Sequence, residues 1–360
     1  MPESLPGPLS ASERVCVTGA SGFVASWLVR DLLDRGVSVR GTARKPTASG
    51  HLQALPGAAA RLEIVAADLL EPASLEPAVA GCGVVFHTAS PYVIDVTDPQ
   101  RDLVDPAVNG TVSVLAACAR TPSVTRVVLT SSMAAVTDEP DASRVLTEAD
   151  WNDKSTLERN PYYLSKTLAE RAAWAFMERE RPGFDLVVIN PFVIMGPALG
   201  SGVNVSNQII ADLVNGVYPG ILSLAWGIVD VRDVAQAHVR AAEVVGARGR
   251  HLCAQEAVSM RTMVGWLREA GFVEGTKLPS MPLDNMFGNL LVRLNSYVQP
   301  KGVGSYLRTH IGRVPRYDTR KAREELGLTF RSTRETVLDT ARDLETHGRI
   351  VRRGGAVPVR

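Results

Sequence analysis

The chain has 360 residues, 45% of them hydrophobic and 21% charged, with a net charge of +1 at pH 7. That is enough apolar material for a large core, and the near balance of charge leaves no overall electrostatic footprint for nucleic acid or an anionic membrane. Four dispersed cysteines (Cys16, Cys82, Cys118, Cys253) form no CxxC pair and read as reduced, mostly buried thiols, and the six histidines show no metal-ligand spacing.

Residues 1–12 are polar and proline-rich and read as a flexible leader without the basic and apolar regions of a secretion signal. Strand-like runs follow at 15–18, 37–42, 62–66, 84–87, 126–131 and 186–190, several of them continuous in Val, Ile and Leu. Continuous runs belong to strands covered on both faces, as in a parallel sheet. Helical patterns at 23–35, 72–80, 102–120 and 161–180 alternate with them. Repeated β-α units of this kind predict an α/β fold with a doubly wound parallel sheet of the Rossmann type. Beyond residue 195 the pattern changes: 196–207 reads as a loop, and 228–245 as a strand and helix with Asp233 as N-cap. An apolar helix is expected at 286–297, ended by Pro-Lys-Gly, then two short charged helices within 317–347 and a disordered tail over 350–360. The expected division is 13–195 with 227–250 as dinucleotide-binding domain, and 196–226 with 251–347 as a smaller α/β substrate domain. No apolar run approaches the ~18 residues that span a bilayer, so a cytoplasmic protein without membrane or nucleic-acid partners is expected.

The first strand leads into Thr18-Gly19-Ala20-Ser21-Gly22-Phe23-Val24-Ala25. Gly19 can turn sharply, Gly22 lets the backbone approach a pyrophosphate, and Ala25 lets the helix pack on its strand. The N–H groups of Ser21 to Val24 and the positive helix end face the phosphates. The second strand ends Thr42-Ala43-Arg44-Lys45, with no acid to take ribose hydroxyls. Arg44 and Lys45 instead suit a 2′-phosphate, which points to NADP(H). Asp68 and Leu69 end the third strand's run and flank the adenine, or Asp68 caps the helix before Pro72.

Tyr162 and Lys166 lie four apart, one turn from each other on one helix face, and Pro161 suits the first turn. An ammonium beside a phenol stabilises the phenolate and makes the tyrosine a better proton donor. Ser132, after the fifth strand, is favoured over Ser131 to orient a carbonyl. Asn109 is a helix-packing residue or a relay member, while His87 and His238 read as structural.

Together these residues resemble the extended short-chain dehydrogenase/reductases, in particular the group of dihydroflavonol 4-reductase, cinnamoyl-CoA reductase and yeast-type carbonyl (methylglyoxal) reductase. The matching segments include VCVTGASGFVASWLVRDLLDRGVSVRGTARKP, GVVFHTASP, NPYYLSKTLAERAAW and DTRKAREELGL. The resemblance implies Ser132, Tyr162 and Lys166 as the catalytic set and Arg44 as 2′-phosphate ligand. It also implies Thr88, Ala89 and Ser90 beside the ribose and pyrophosphate, Pro191, Val193 and Ile194 along the nicotinamide, and Ser206 at a cofactor phosphate. Pro91, Val93, Phe192 and Trp226 are candidate substrate-lining residues. One departure stands out: cinnamoyl-CoA reductases read roughly NWYCYGK around the tyrosine, where this chain reads Asn160-Pro161-Tyr162-Tyr163-Leu164-Ser165-Lys166. The implied activity is NADPH-dependent reduction of a small ketone or aldehyde by a monomer or homodimer. The alternatives are an NAD-dependent hydroxysteroid dehydrogenase or a nucleotide-sugar epimerase/dehydratase.

Overall fold

A computed structural model describes residues 9–10, 13–90, 96–200 and 202–350. The strands are β1 (Arg14–Thr18), β2 (Ser38–Ala43), β3 (Leu62–Ala66), β4 (Val84–His87), β5 (Arg126–Thr130), β6 (Asp185–Pro191), β7 (Val193–Met195), β8 (Ile221–Leu222), β9 (Ala225–Asp230), β10 (Gly249–Cys253), β11 (Glu256–Ser259) and β12 (Pro282–Leu283). Seven of them form a parallel sheet in the order β10-β6-β5-β4-β1-β2-β3. This doubly wound order reverses direction between β1 and β4, where open α/β sheets bind ligands.

The helices are α1 (Phe23–Asp34), the one-turn α2 (Gly50–Gln53) and α3 (Ala58–Arg61), α4 (Pro72–Val79), α5 (Asp105–Ala119), α6 (Pro161–Glu180), α7 (Val205–Asn215), α8 (Val231–Glu243), α9 (Met260–Glu269), α10 (Met286–Asn295), α11 (Lys301–His310), α12 (Arg320–Glu325) and α13 (Thr333–Thr346). Alternation along the strands explains their continuous apolar runs. Val15, Val17, Phe86, Val128 and Ile189 pack on the side of α1 and α8. Cys16, Val85, Val127, Leu129 and Val188 pack on the side of α4, α5 and α6. All four cysteines are buried free thiols. A separate core joins β9, α7, α9 and α13 through Trp226, Ile210, Met263 and Val337.

Several local expectations change. Helix α8 begins at Val231, so Asp230 is its N-cap, accepting from Arg232 N at 2.9 Å. Asp233 falls in the first turn and takes the Arg331 backbone N–H at 2.6 Å. The 196–207 loop ends early, because Asn204 accepts from Asn207 N at 2.8 Å and caps α7. The 286–297 helix stops at Asn295, and its Pro-Lys-Gly break is a corner, with Pro300 at the N-cap of α11. Asn109 is exposed on α5 rather than packed. Leu9 and Ile350, assigned to loose termini, are both buried against cores; 1–8, 11–12 and 351–360 lie outside the described residues, as do Pro91 and Val93.

Candidate active site

The site gathers at the C-terminal ends of β1, β4, β5 and β6. Gly19 has φ +63°, and a Cβ there would lie 2.9 Å from Ala89 Cβ, so only glycine fits. Its N–H donates to Thr42 Oγ1 at 3.1 Å, tying the turn to β2. Gly22 caps α1 without a side-chain hydrogen bond. The first-turn N–H groups of Phe23 and Val24 therefore remain for an anion. A cavity of about 220 Å³ opens beside this turn, lined by Ser21, Phe23, Ser26 and His51 and, across from them, by residues 198–200 and 202–204. Arg44 and Lys45 are both exposed just past β2, where a charged phosphate can reach them.

The loop after β4 is fixed to the same turn. Thr18 Oγ1 accepts from the N–H groups of Thr88 and Ala89, each at 3.1 Å, and lies 2.9 Å from His87 Nδ1. A hydroxyl has one proton and two lone pairs, so Thr18 donates to Nδ1 and His87 is a neutral Nε2–H tautomer. Burial, with the Lys166 charge, lowers the His87 pKa to about 3, in keeping with that assignment. Asp68 turns back on itself, with Oδ1 accepting from Leu70 N at 2.9 Å, and does not cap α4. Leu69 packs on Gly110, 3.1 Å from the position of a Cβ there.

On the other side of the switch point, α6 carries Tyr162 and Lys166. Lys166 Nζ donates to Ser90 Oγ at 2.7 Å and sits 5.7 Å from the Tyr162 ring centroid. Lys166 is buried, and the loss of water lowers its pKa from 10.5 to about 8. Strand alternation turns Ser131 inward, where it donates to Glu170 Oε2 at 2.5 Å. Ser132 stays half-buried at the head of the Met133–Ala135 turn, accepting from Ala134 N at 3.1 Å. Helix α6 packs on that turn, with Thr167 Oγ1 donating to Ala134 O at 3.3 Å. Tyr162, Lys166 and Ser90 thus come together from two segments, and Ser132 heads the turn on which their helix packs. Pro191, Val193 and Ile194 run across the end of β6 into β7, and Ser206 lies in the first turn of α7.

Two proposed lining residues are core instead. Phe192 packs on Tyr317 at 4.3 Å between ring centroids, and Trp226 Nε1 donates to Tyr306 Oη at 2.8 Å. Each is about 5% exposed. No group of histidine, cysteine or carboxylate side chains suited to a metal occurs among the described residues.

Residue patterns alone miss two supports of the site. The first is a buried network around Glu170, one turn beyond Lys166. Its carboxylate accepts from Ser131, from Asn190 Nδ2 at 2.7 Å and from Arg250 Nε at 2.6 Å. Asn190 also donates to Ser132 O at 3.3 Å. The spacing of Glu170 after Lys166 is the one signal, since it repeats the same helix face. The second is Asn160, whose φ of 50° and ψ of 57° are left-handed. A residue before proline resists helical conformations, so the geometry is strained. It is held by hydrogen bonds: its N–H to Ser305 Oγ at 3.2 Å, and its Nδ2 to Thr309 Oγ1 at 3.2 Å and Asp138 Oδ2 at 3.4 Å.

The fold is shared with known proteins. The family model described as NAD dependent epimerase/dehydratase family matches residues 15–252. A cinnamoyl-CoA reductase of Medicago truncatula, CAD2, is 46% identical over 268 residues, covering 71% of this chain and 80% of its own. Tetraketide alpha-pyrone reductase 1 of Arabidopsis thaliana is 37% identical over 349 residues, covering 94% of this chain and 97% of its own. Among solved structures, the yeast methylglyoxal/isovaleraldehyde reductase Gre2 complexed with NADPH is similar with a TM-score of 0.76 at 30% identity, covering 94% of this chain and 100% of that one.

Proposed function

Because the chain belongs to the NAD dependent epimerase/dehydratase family, as an NAD(P)-dependent oxidoreductase of its extended reductase branch, we propose that it uses NADPH to reduce a ketone or aldehyde to an alcohol. The observation that carries this reading is the Lys166 ammonium, buried between Ser90 Oγ and the Tyr162 ring. The turn from Gly19 to Val24, the cations Arg44 and Lys45, and the loop from Thr88 to Ser90 fit the cofactor. Bound NADPH supplies the hydride. Ser132 Oγ donates a hydrogen bond to the carbonyl oxygen and orients it. Tyr162 Oη gives its proton to that oxygen as negative charge develops there, and the Lys166 charge stabilises the phenolate left behind. The Glu170 network keeps the end of β5 in register with α6. Asp68, Leu69, Pro191, Val193, Ile194 and Ser206 are assigned to the rest of the cofactor's length.

The relatives span thioester, pyrone and small-carbonyl reductases. A panel of cinnamoyl-CoA, flavanonols, ketoesters, dicarbonyls and steroids with both nicotinamide cofactors tests substrate and cofactor together. Tyr162→Phe is expected to lower turnover by ~100-fold or more while NADPH binding persists; turnover near that of the unmodified enzyme would sink the mechanism. An epimerase or dehydratase is disfavoured by Met133-Ala134 after Ser132 and by Arg44 in place of an acid. Protein purified with NAD retained and indifferent to added NADPH would favour it instead.

A further inference from the structure

Half of the sixteen exposed large hydrophobic side chains among the described residues fall within 286–303. Met286, Phe287, Leu290, Leu291 and Leu294 lie on α10, and Tyr297 and Val298 continue its turn. At 100° per residue they fill one arc of roughly 140° with no polar side chain inside it. Met286 is 91% exposed and Phe287 69%. The face is fixed outward by two close backbone approaches. A Cβ on Gly288 would lie 2.1 Å from Leu283 O, and one on Gly304 2.2 Å from Ser296 O. These contacts commit the opposite side of α10 to β12 and α11. Arg308 ties the corner, donating to Ser296 O at 3.2 Å, with its guanidinium 4.8 Å from the Tyr297 ring centroid.

The charge around this face is one-sided. From Asn285 to Tyr317 the sequence has Arg293, Lys301, Arg308, Arg313 and Arg316 and no Asp or Glu. Arg313 is paired with Glu139 and Arg316 donates to Ala142 O, which leaves Arg293 and Lys301, both exposed, as the outward cations of the corner itself. The overall charge of +1 conceals this local excess. A second copy of the chain would also cover apolar surface. An isologous contact, however, sets the same patch against itself, and this segment offers no carboxylate to meet its own cations. An anionic bilayer surface supplies both complements: acyl chains for the Phe287–Leu290–Leu294 ridge and headgroup phosphates for the cations. Tyr297 suits the headgroup level, where a ring with a polar tip can be half wet.

We propose that the α10–α11 corner docks peripherally on an anionic lipid surface, with α10 lying in the interface plane. The test is co-sedimentation of the full chain with phosphatidylcholine vesicles and with vesicles containing an equal share of phosphatidylglycerol, across salt concentration. The expected result is binding to the anionic vesicles that weakens as salt rises, with little binding to the neutral ones. Leu290→Gln/Leu294→Gln should reduce that binding by ~10-fold or more with NADPH-dependent turnover unchanged. Arg293→Glu/Lys301→Glu, which keeps the apolar ridge, should abolish the preference for anionic vesicles. No sedimentation of the unmodified chain would overturn the proposal. So would a dimer in lipid-free solution, seen by light scattering, that Leu290→Gln/Leu294→Gln dissolves.

Discussion

Replacing Lys166 with methionine separates what the side chain costs the fold from what it does in the site. An unfolded chain holds the lysine proton up to a pKa near 10.5, whereas the folded protein releases it above about 8. At pH 7 both states are charged, so folding must strip water from the ammonium. At ~1.36 kcal/mol per pH unit, the lowered pKa corresponds to about 3 kcal/mol of lost stability. The penalty is complete below pH 8, shrinks between 8 and 10.5, and vanishes above. Methionine fills much of the same volume without that penalty but forfeits the hydrogen bond to Ser90, a loss of ~1 kcal/mol. Lys166→Met should therefore be more stable than the unmodified protein by about 2 kcal/mol at pH 7, with the gain gone by pH 10, while carbonyl reduction is lost. Urea unfolding of ligand-free protein at the two pH values measures the difference directly. A variant less stable at pH 7, or a gain independent of pH, would refute the assignment of Lys166 as a buried, charged group.

Two further outcomes concern the cofactor and the support of the site. Arg44→Ala should weaken NADPH binding by ~10- to 100-fold, the range for charge-assisted phosphate contacts, and leave NADH binding unchanged in a fluorescence titration. Equal losses for the two cofactors would remove Arg44 from the 2′-phosphate. Glu170→Gln leaves the Arg250 charge buried without its carboxylate and should cost ~3 kcal/mol or more in urea unfolding. Glu170→Gln with Arg250→Met should recover part of that loss, and no recovery would show that the ion pair is not the element at stake.

The parallel sheet was legible because its strands are covered on both faces, which writes unbroken runs such as Val84–Phe86 into the chain. The glycine turn and the Tyr162–Lys166 pair were legible because each is a local spacing. Capping was harder to read: Asp230 and Asp233 are both suitable N-caps, and only the end of β9 selects Asp230. Phe192 and Trp226 look alike as pocket or core residues until Tyr317 and Tyr306 pack on them. The Glu170–Arg250 pair joins residues 80 apart in the chain, and no spacing rule reaches that far. The apolar face of α10 was visible as hydrophobicity but not as exposure, because exposure depends on which side Gly288 allows to pack.

The left-handed Asn160 makes the start of α6 common property of two distant segments of the chain. Its partners Ser305 and Thr309 belong to α11, far along the chain from the helix they hold in place. A graft that exchanges the α10–α11 segment for that of another reductase would change more than the surface it presents. Unless the incoming segment carries hydroxyls at those two positions, Asn160 can relax, and Tyr162 two residues later would inherit the error. Recombination between family members should therefore be tolerated best at junctions that move Asn160 and α11 together.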